Sequence, residues 1–433
     1  MTEAVPGPIP ENDAGLPVVI VGGGPAGMML GLLLARGGIR VTVLEKHADF
    51  FRDFRGDTIH PSTLELMREL GLLGAFLRLP HQKVRMAGGR FGDTPFTVAD
   101  FSRLPVANNF IAFMPQWDFL DFIAGQGRRH PGFDLRMGVK AQALMHDAHG
   151  RVCGVQARLA DGSKAEIAAR LVVACDGRHS ELRAAGIQAG DLLLEERGAP
   201  IDVLWFRLPR QDDDGEELLG RAERGRLMIL INRGDYFQCA YIIAKNGLAA
   251  LKARGLDAFR ADIAALAPFL AGRLDAALQD WEGVKLLTVQ VNRLRRWHRP
   301  GLLYIGDAAH AMSPVGGVGV NLAIQDAVAA ANILWPHLHA GRSGAGLDTV
   351  LPQVQARRQW PTDVIQRFQI TAHRFIAASI LGRRPDDGGP PLQPPLPLRL
   401  LTRFPLLRIL PAWLLGLGPR REHLRVPHMK PPA

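Results

Sequence analysis

The stretch Leu16-Pro17-Val18-Val19-Ile20-Val21-Gly22-Gly23-Gly24-Pro25-Ala26-Gly27 decides the fold of this chain. Its apolar, β-branched beginning is typical of a buried parallel strand. An apolar helix is predicted directly after it, from Met28 to Ala35, and Gly37-Gly38 end that helix. A second buried strand follows from Arg40 to Glu45. The sequence therefore predicts a βαβ unit that runs from Pro17 to about Lys46.

The glycine spacing inside this unit matches a dinucleotide-binding turn. Gly22 permits the tight turn, Gly24 lets a pyrophosphate approach the backbone, and Gly27 lets the helix pack on the strand. The helix N-terminus presents free N–H groups and a positive dipole end to phosphates. Glu45 can accept hydrogen bonds from adenosine ribose hydroxyls, which makes a packing turn without a ligand the weaker interpretation. The predicted cofactor contacts here are Gly22, Gly23, Gly24, Pro25, Ala26, Gly27, Glu45 and Lys46.

Two further strand ends carry carboxylates. Asp307 follows the buried run Leu302 to Ile305 and precedes a glycine-containing loop that leads into a helix at about Val320. A carboxylate in that place can bind a ribityl or ribose hydroxyl, and the helix N-terminus can face a phosphate or an electron-rich isoalloxazine edge. Asp176-Gly177 ends another strand, with Arg183 on the turn beyond. Arg183 could meet a dinucleotide phosphate or pair with Asp176, and the residues alone leave both open.

Taken in this order, the three motifs resemble the para-hydroxybenzoate hydroxylase family, the single-component class A flavoprotein monooxygenases. The resemblance covers about residues 17 to 340 and implies FAD as the cofactor, with NAD(P)H as a transient co-substrate. It also implies roles for single residues. Arg55, with Arg52 second, would contact the FAD pyrophosphate, Gln116 would bind the FAD, and Asp307 would bind its ribityl chain. Further contacts are implied for Asp176, Gly177, Arg183, Gly319, Val320 and Asn321.

The chemistry implied by the resemblance is hydroxylation or epoxidation of an apolar or aromatic small molecule with O2, through a flavin C4a-hydroperoxide. No second GxGxxG and no CxxC follow a strand, which argues against the disulfide reductases. The Trp-x-Trp-x-Ile-Pro motif of flavin halogenases is absent as well. Two alternatives remain: an FAD-dependent reductase of the type that saturates isoprenoid double bonds, and a non-catalytic FAD-binding interaction module.

No residue is assigned a catalytic role with certainty from the sequence. Pro314 and His310 are candidates to lie near the flavin, and His310 and His60 are either proton shuttles or structural histidines. Apolar side chains on the predicted inserted sheet suggest a substrate pocket, although each could equally fill the core. The pocket candidates are Trp205, Met228, Leu230, Phe237 and Tyr241.

Composition is that of a globular protein: 433 residues, 47% hydrophobic, with a formal net charge of +10. The arginines are scattered, so we expect no nucleic-acid binding. The cysteines, Cys153, Cys175 and Cys239, are far apart, which predicts neither disulfides nor a zinc site and fits a reduced, cytoplasmic setting.

The predicted fold class is α/β, with a Rossmann-like FAD-binding domain of the glutathione-reductase type and an inserted antiparallel sheet. The predicted divisions are a disordered N-terminus (1–15), the FAD-binding domain (16–190 and 285–340), the substrate-binding sheet (191–284), a long helix (341–382), and a linker with a tail (383–433). The tail is Leu-rich with Arg399, Arg403 and Arg408 on a possible helix. It either docks on the domain surface or forms an amphipathic patch for a membrane or a partner.

Overall fold

The computed structural model of the chain describes residues 15–51, 58–214, 219–383 and 392–429. The predicted disorder of residues 1–15 thus falls, except for Gly15, outside the described residues. The strands are, in chain order, β1 Val18–Val21, β2 Val41–Glu45, β3 Thr58–Ile59, β4 Gln82–Val84, β5 Met86–Phe91, β6 Thr94–Asp100, β7 Ile111–Phe113, β8 Phe133–Met137, β9 Lys140–His146, β10 Val152–Arg158, β11 Lys164–Ala168, β12 Leu171–Ala174, β13 Leu194–Glu196, β14 Ile201–Pro209, β15 Leu219–Glu223, β16 Arg226–Asn232, β17 Tyr236–Ala244, β18 Lys285–Leu287, β19 Asn292–Leu294, β20 His298–Arg299 and β21 Leu302–Tyr304. The α-helices are α1 Pro25–Arg36, α2 Pro61–Glu69, α3 Leu73–Phe76, α4 Gln116–Gly127, α5 Glu181–Gln188, α6 Leu248–Ala253, α7 Leu256–Leu266, α8 Leu274–Ala277, α9 Gly319–His339, α10 Gly344–Asp348, α11 Leu351–Phe375, α12 Leu396–Arg403 and α13 Ile409–Gly416.

A six-stranded sheet, in the order β20-β21-β12-β1-β2-β8, holds the predicted βαβ unit near its centre. β1 pairs in parallel with both β2 and β12, so that Val18 lies opposite Val41 and Leu171. The side chains of β1 are buried on both faces, as the continuous apolar run predicted. One face packs against α1, α4 and α9, and the other against the sheet β9-β10-β11. The α/β character of the chain is therefore clear.

A seven-stranded sheet, in the order β18-β14-β17-β16-β15-β5-β6, forms the second large layer. Five of these strands come from the segment around 191–284 or its border, but β5 and β6 come from residues 86–100, far ahead of that segment. The reason is a close parallel contact in which Gly89 pairs with Gly220. A Cβ atom at Gly89 would lie 2.1 Å from the carbonyl oxygen of Gly220, so only glycine allows the hairpin to join this edge.

The two faces of this sheet have different neighbours. One face packs on α6, α7 and α8, with Phe206, Tyr241 and Phe259 at its centre. The opposite face carries Trp205, Ile229 and Ile231, which pack with side chains from the loop before α9 and from α11. This alternation follows from the antiparallel register, in which Trp205 pairs with Ala240 and Phe206 with Cys239.

The helices after the sheets differ from their predicted limits. The long helix predicted over 341–382 consists of α10, α11 and a π-helical turn, Ile376–Leu381. The single helix suggested for the tail is interrupted at Pro405, which begins a 3₁₀ turn, Pro405–Arg408, between α12 and α13. Among the described residues, one helical stretch, Val315–His339, is long and apolar enough to cross a membrane. It is 72% buried in its most apolar window and is a core helix of the fold.

A buried ionic network joins α9, α11 and the C-terminal segment. Asp326 on α9 is fully buried and accepts a hydrogen bond of 2.9 Å from Arg358 Nε on α11. Arg358, also fully buried, reaches Glu422 at 3.3 Å, and His310 Nε2 lies 2.6 Å from the second oxygen of Asp326. Burial by itself raises the pKa of Asp326, but the charges and hydrogen bonds of His310 and Arg358 outweigh it and lower the pKa. The carboxylate is thus held ionised inside the core.

We expect Arg358→Met to lower the free energy of unfolding by about 3–5 kcal/mol, because it leaves two buried carboxylates without their shared cation. The measurement is urea unfolding followed by circular dichroism. The matched control is Arg367→Met on the same helix. Its guanidinium is 74% exposed and pairs with Asp363, so the change costs less than about 1 kcal/mol. Equal losses in the two variants would contradict this account of the network.

Candidate active site

The glycine turn between β1 and α1 has three differently constrained glycines. Gly22 has a φ of +108°, and a Cβ atom there would lie 2.5 Å from the carbonyl oxygen of Cys175. A Cβ atom at Gly27 would lie 2.0 Å from the carbonyl oxygen of Gly22. At Gly24, by contrast, a Cβ atom would meet no atom of the described residues within 4 Å. The turn is therefore packed tightly on the protein side and open at Gly24, where a phosphate is predicted to approach.

The N-terminus of α1 faces this opening. Gly24 is its N-cap and offers no side-chain cap, Pro25 occupies the first turn, and Ala26 and Gly27 follow. The backbone N–H groups of a first helical turn have no partner inside the helix, so they can donate to an anion. Because no side chain of the described residues caps this helix by a hydrogen bond, the turn is suited to a pyrophosphate.

Glu45, at the end of β2, is held by backbone donors. Its carboxylate accepts hydrogen bonds of 3.0 Å from Gly23 N and from His47 N. This places the carboxylate beside the glycine turn, in the position predicted for a ribose contact. Lys46, the next residue, is exposed.

Asp307 lies in a 3₁₀ turn at the end of β21, with its side chain 27% exposed. Arg178, from the loop after β12, donates to Asp307 Oδ2 at 3.2 Å. A second nitrogen of Arg178, Nη1, is buried without a partner in the described structure. The two motifs that the sequence analysis singled out, at 176–183 and 306–307, are thus joined by an ion pair that sequence reasoning did not identify.

Arg183 is buried and serves the backbone of the same region. Its guanidinium donates to the carbonyl oxygens of Asp307, at 3.2 Å, and Ala308, at 3.4 Å, and also to that of Arg178. Burial lowers the pKa of Arg183, and the charges of Asp176 and Asp307 partly offset this. These contacts tie the two loops together. They are neither of the two roles that the sequence left open for Arg183, and a contact with a dinucleotide phosphate stays a prediction.

Asp176 is the most perturbed acid at this edge of the sheet. Burial raises its pKa to about 6, although a hydrogen bond from Ser180 and the charges of Arg183 and Lys46 act in the opposite direction. Its Oδ1 atom is buried and has no hydrogen-bond partner among the described residues, and Gly177 follows with a φ of +83°. An acceptor that is buried and unsatisfied beside the glycine turn is available to a ligand hydroxyl.

The loop from Gly306 to Val318, here called the Asp307 loop, is held in place by side chains of α11. Ser313 Oγ lies 2.6 Å from His373 Nε2, and Gln369 Nε2 donates to the carbonyl oxygens of Ser313 and Val315. Burial lowers the pKa of His373 to about 4, so this histidine is neutral at pH 7. Gln366 adds a bond of 3.2 Å to Ala311 O. The loop is therefore fixed by polar side chains of one helix face.

Pro314 of this loop is half-buried, and His310, near the start of the same loop, is almost fully buried. The His310 ring packs against that of Trp297 in a tilted arrangement, and His310 binds Asp326, which also accepts from Gly306 N at 3.1 Å. These contacts place His310 in a structural role. His60 is likewise buried, with its Nδ1 2.7 Å from the carbonyl oxygen of Leu415, and burial lowers its pKa to about 4.

The first turn of α9 begins at the end of the Asp307 loop, and Gly319 and Val320 lie on it with no side-chain cap. The side chain of Asn321 is occupied by the protein. It donates to Thr58 O and accepts from His60 N and from Thr63 Oγ1. Any contact of this turn with a cofactor therefore falls to its backbone N–H groups.

The structure describes only one of the three remaining predicted cofactor residues. Gln116 is the first residue of α4 and is half-buried. Arg52 and Arg55 lie outside the described residues. Their predicted contacts with the pyrophosphate stay predictions.

The predicted substrate residues divide between the two faces of the large sheet. Trp205 lies on the face toward the Asp307 loop, and its buried Nε1 has no hydrogen-bond partner in the part of the chain that the structure describes. The other four, Met228, Leu230, Phe237 and Tyr241, lie on the opposite face, in the core against α6–α8. The structure does not bring these four to the Asp307 loop, because alternate residues of a strand point to opposite faces.

Sequence reasoning missed one side chain on the correct face. Gln238 is buried next to the cluster that contains Ile231, and its Oε1 accepts from Arg233 Nε at 3.1 Å. Its Nε2 has no partner in the described structure. A polar residue in the alternating pattern of β17 was the available signal. It also missed the polar face of α11, formed by Arg358, Thr362, Gln366, Gln369 and His373, which are all buried.

The residues present fit an FAD molecule. The open position at Gly24 suits the pyrophosphate, Glu45 the adenosine ribose, and Asp307 with Asp176 the hydroxyls of a chain between two strand ends. Within the described residues, no group of three His, Cys, Asp or Glu side chains is arranged to hold a metal ion.

Comparison with known proteins agrees with this geometry. Residues 15–367 match the family described as FAD binding domain. The chain is 34% identical over 375 residues to a 6-methylpretetramide 4-monooxygenase of Streptomyces rimosus, covering 86% of each protein. It is 27% identical over 363 residues to a 12-dehydrotetracycline 5-monooxygenase/anhydrotetracycline 6-monooxygenase of the same species, covering 79% of this chain and 66% of that protein.

Among solved structures, the p-nitrophenol 4-monooxygenase of Pseudomonas putida superposes with a TM-score of 0.74. The match covers 94% of this chain and 99% of that one at 19% identity, and it supports the shared fold.

We expect Gly24→Ala and Gly27→Ala to separate cofactor binding from folding. Gly24→Ala leaves the stability of the flavin-free protein unchanged but weakens FAD binding about tenfold or more, because its methyl group enters only the cofactor space. Gly27→Ala also lowers the free energy of unfolding by about 2 kcal/mol or more through the clash with Gly22. Flavin titration and urea unfolding measure the two quantities. Unchanged FAD affinity in Gly24→Ala would show that the pyrophosphate lies elsewhere.

We expect Asp176 to make the flavin-free protein less stable as the pH rises. Its folded pKa, about 6, lies above the unfolded value of about 4. The protonated carboxyl is therefore favoured in the folded state, and that stability is lost as the pH rises from about 4 to about 6. Relative to Asp176→Asn, the wild type should lose about 2–3 kcal/mol over this range. Urea unfolding at several pH values gives the difference, and a difference independent of pH would refute the assignment.

Proposed function

This chain belongs to the class A flavoprotein monooxygenases that carry the FAD binding domain, and we propose that it uses NAD(P)H and O2 to place one oxygen atom on an aromatic, polyketide-like small molecule. The observation that carries the proposal is the convergence of three loops, at Gly24, Asp176 and Asp307, on one edge of the parallel sheet. The compounds in the names of the monooxygenase relatives, among them 6-methylpretetramide, anhydrotetracycline and pentachlorophenol, supply the substrate class.

The finer fold assignment is part of this proposal. The parallel sheet with the β1-α1-β2 unit would hold FAD in the manner of the glutathione-reductase-type Rossmann domains, and the seven-stranded sheet would cover the substrate. The buried, free cysteines support a reducing, cytoplasmic setting.

When bound, FAD supplies the redox chemistry, which lets electrons from NAD(P)H activate O2. The chain itself contributes binding and orientation. Glu45 and the N-terminus of α1 would hold the adenosine diphosphate half, while Asp307 and the first turn of α9 would hold the other half. The α11 contacts to Ser313 and Val315 keep the Asp307 loop from moving away from the substrate. A fixed loop keeps the reacting groups in register and keeps water out.

The substrate is proposed to lie beside the Asp307 loop, next to the sheet face that carries Trp205. That face is apolar at Ile229 and Ile231, which suits a flat ring system. Trp205 Nε1 and Gln238 Nε2 are buried donors that no described residue satisfies, and their strand positions are diagonal neighbours. A buried donor is costly unless a ligand satisfies it, so these two groups are suited to oxygen atoms of the substrate.

The two other candidate functions are weaker. A reductase of the isoprenoid type would be expected to leave no labelled oxygen in its product. A non-catalytic FAD-binding module would need no anchored loop and no buried donors facing it. The loop contacts of Gln369 and His373 favour an enzyme.

We expect an aromatic polyketide substrate to stimulate NAD(P)H oxidation and to gain one labelled oxygen atom when the reaction is run under isotopically labelled O2. Mass spectrometry of the product gives the label. In Gln238→Leu, NAD(P)H oxidation should continue while the labelled product falls about tenfold, because the substrate loses one orienting donor.

The matched control is Gln156→Leu, an exposed residue on β10, which should behave as the wild type. Product formed without label would exclude a monooxygenase and favour the reductase.

A further inference from the structure

Residues 392–421, here called the tail, carry much of the exposed apolar surface of the described chain. Seven of the thirteen large apolar side chains that stay exposed lie within it. Leu396 is 66% exposed and Leu406 is 74% exposed. The other five are Leu400, Phe404, Leu407, Leu410 and Trp413. Such a concentration on one short segment marks an interaction surface.

The inner side of the tail is seated on the protein, so its outer side is presented in a defined position. Ala412 and Leu415 of α13 are buried. Thr402 Oγ1 accepts from Thr97 N of β6 at 3.4 Å. Arg408 donates to the carbonyl oxygens of Leu401 and Thr402, which closes the end of α12. The exposed apolar side chains therefore form a fixed ridge.

The charges along this ridge have one sign. Residues 392–421 contain five arginines and no aspartate or glutamate. Arg399 and Arg403 are exposed and alternate with Leu396, Leu400 and Phe404 along α12. Over the described residues, neither guanidinium forms an ion pair with a carboxylate. The ridge thus combines apolar side chains, which are stabilised in a low-dielectric phase, with guanidinium groups, which bind phosphates.

We propose that the tail docks this protein peripherally on an anionic membrane surface. Leu, Phe and Trp side chains would enter the boundary between headgroups and acyl chains, and the arginines would contact lipid phosphates. A second copy fits less well, because a two-fold contact through this ridge would oppose arginines to arginines without a carboxylate in the segment.

The test uses the flavin-loaded protein and sedimentation with vesicles of phosphatidylcholine alone or mixed with phosphatidylglycerol. We expect binding to the mixed vesicles, weakened by added salt, and little binding to phosphatidylcholine alone. The double variant Leu400→Glu/Phe404→Glu should lower partitioning about tenfold or more. Its matched control is Leu193→Glu/Leu286→Glu, two other exposed leucines, which should bind as the wild type.

The charges are tested separately with Arg399→Gln/Arg403→Gln, which should weaken binding to mixed vesicles several-fold. Arg128→Gln/Arg129→Gln, at the exposed end of α4, is the matched control. Equal flavin content and equal melting temperatures establish that each variant is folded.

Four results would overturn the proposal. They are no binding of the wild type to mixed vesicles, equal binding to both vesicle types, tail variants that bind like their controls, and lipid-independent dimers that Phe404→Glu dissociates. Vesicle binding needs no turnover, so its outcome is independent of the oxygen-labelling experiment.

Discussion

The carboxylate of Asp326 is the interaction on which the rest of the site depends. It lies fully buried on α9, and it is held by Arg358 from α11, by His310 and by the backbone N–H of Gly306. A buried ion is costly unless every lone pair is used, so this group fixes the positions of all its partners at once. Its contacts fix the start of the Asp307 loop, α9 and α11 relative to one another and, through Arg358 and Glu422, also the C-terminal segment.

Side chains from two helices hold the Asp307 loop, which forms part of the predicted cofactor site. Arg183 binds the carbonyl oxygens of the Asp307 loop from α5, while Gln369 and His373 bind its far end from α11. The glycine turn is equally constrained on its protein side and open at Gly24. Rigid backbone with a few unsatisfied polar atoms, such as Asp176 Oδ1, is what a binding site requires before its ligand arrives.

Much of this was predictable from the sequence, because the βαβ unit depends on local signals: apolar runs, glycine spacing and a carboxylate at a strand end. The same signals located Asp307 and Asp176. Contacts that depend on tertiary packing were not predictable. The pairing of Gly89 with Gly220 adds a hairpin to the sheet from more than 100 residues away. The buried polar face of α11 has the pattern of a solvated face, and strand alternation alone does not say which face of β16 and β17 meets the loop.

The position of the C-terminal segment also bears on how the protein is made. Met429 N donates to Arg36 O at the end of α1, Arg36 donates to Val426 O, and Glu422 N donates to Gln325 on α9. Chains fold as they leave the ribosome, N-terminal parts first. The C-terminal end of α1 therefore stays uncovered until residue 429 has been translated and has emerged from the ribosome. Loading of the flavin is therefore expected to follow translation rather than accompany it.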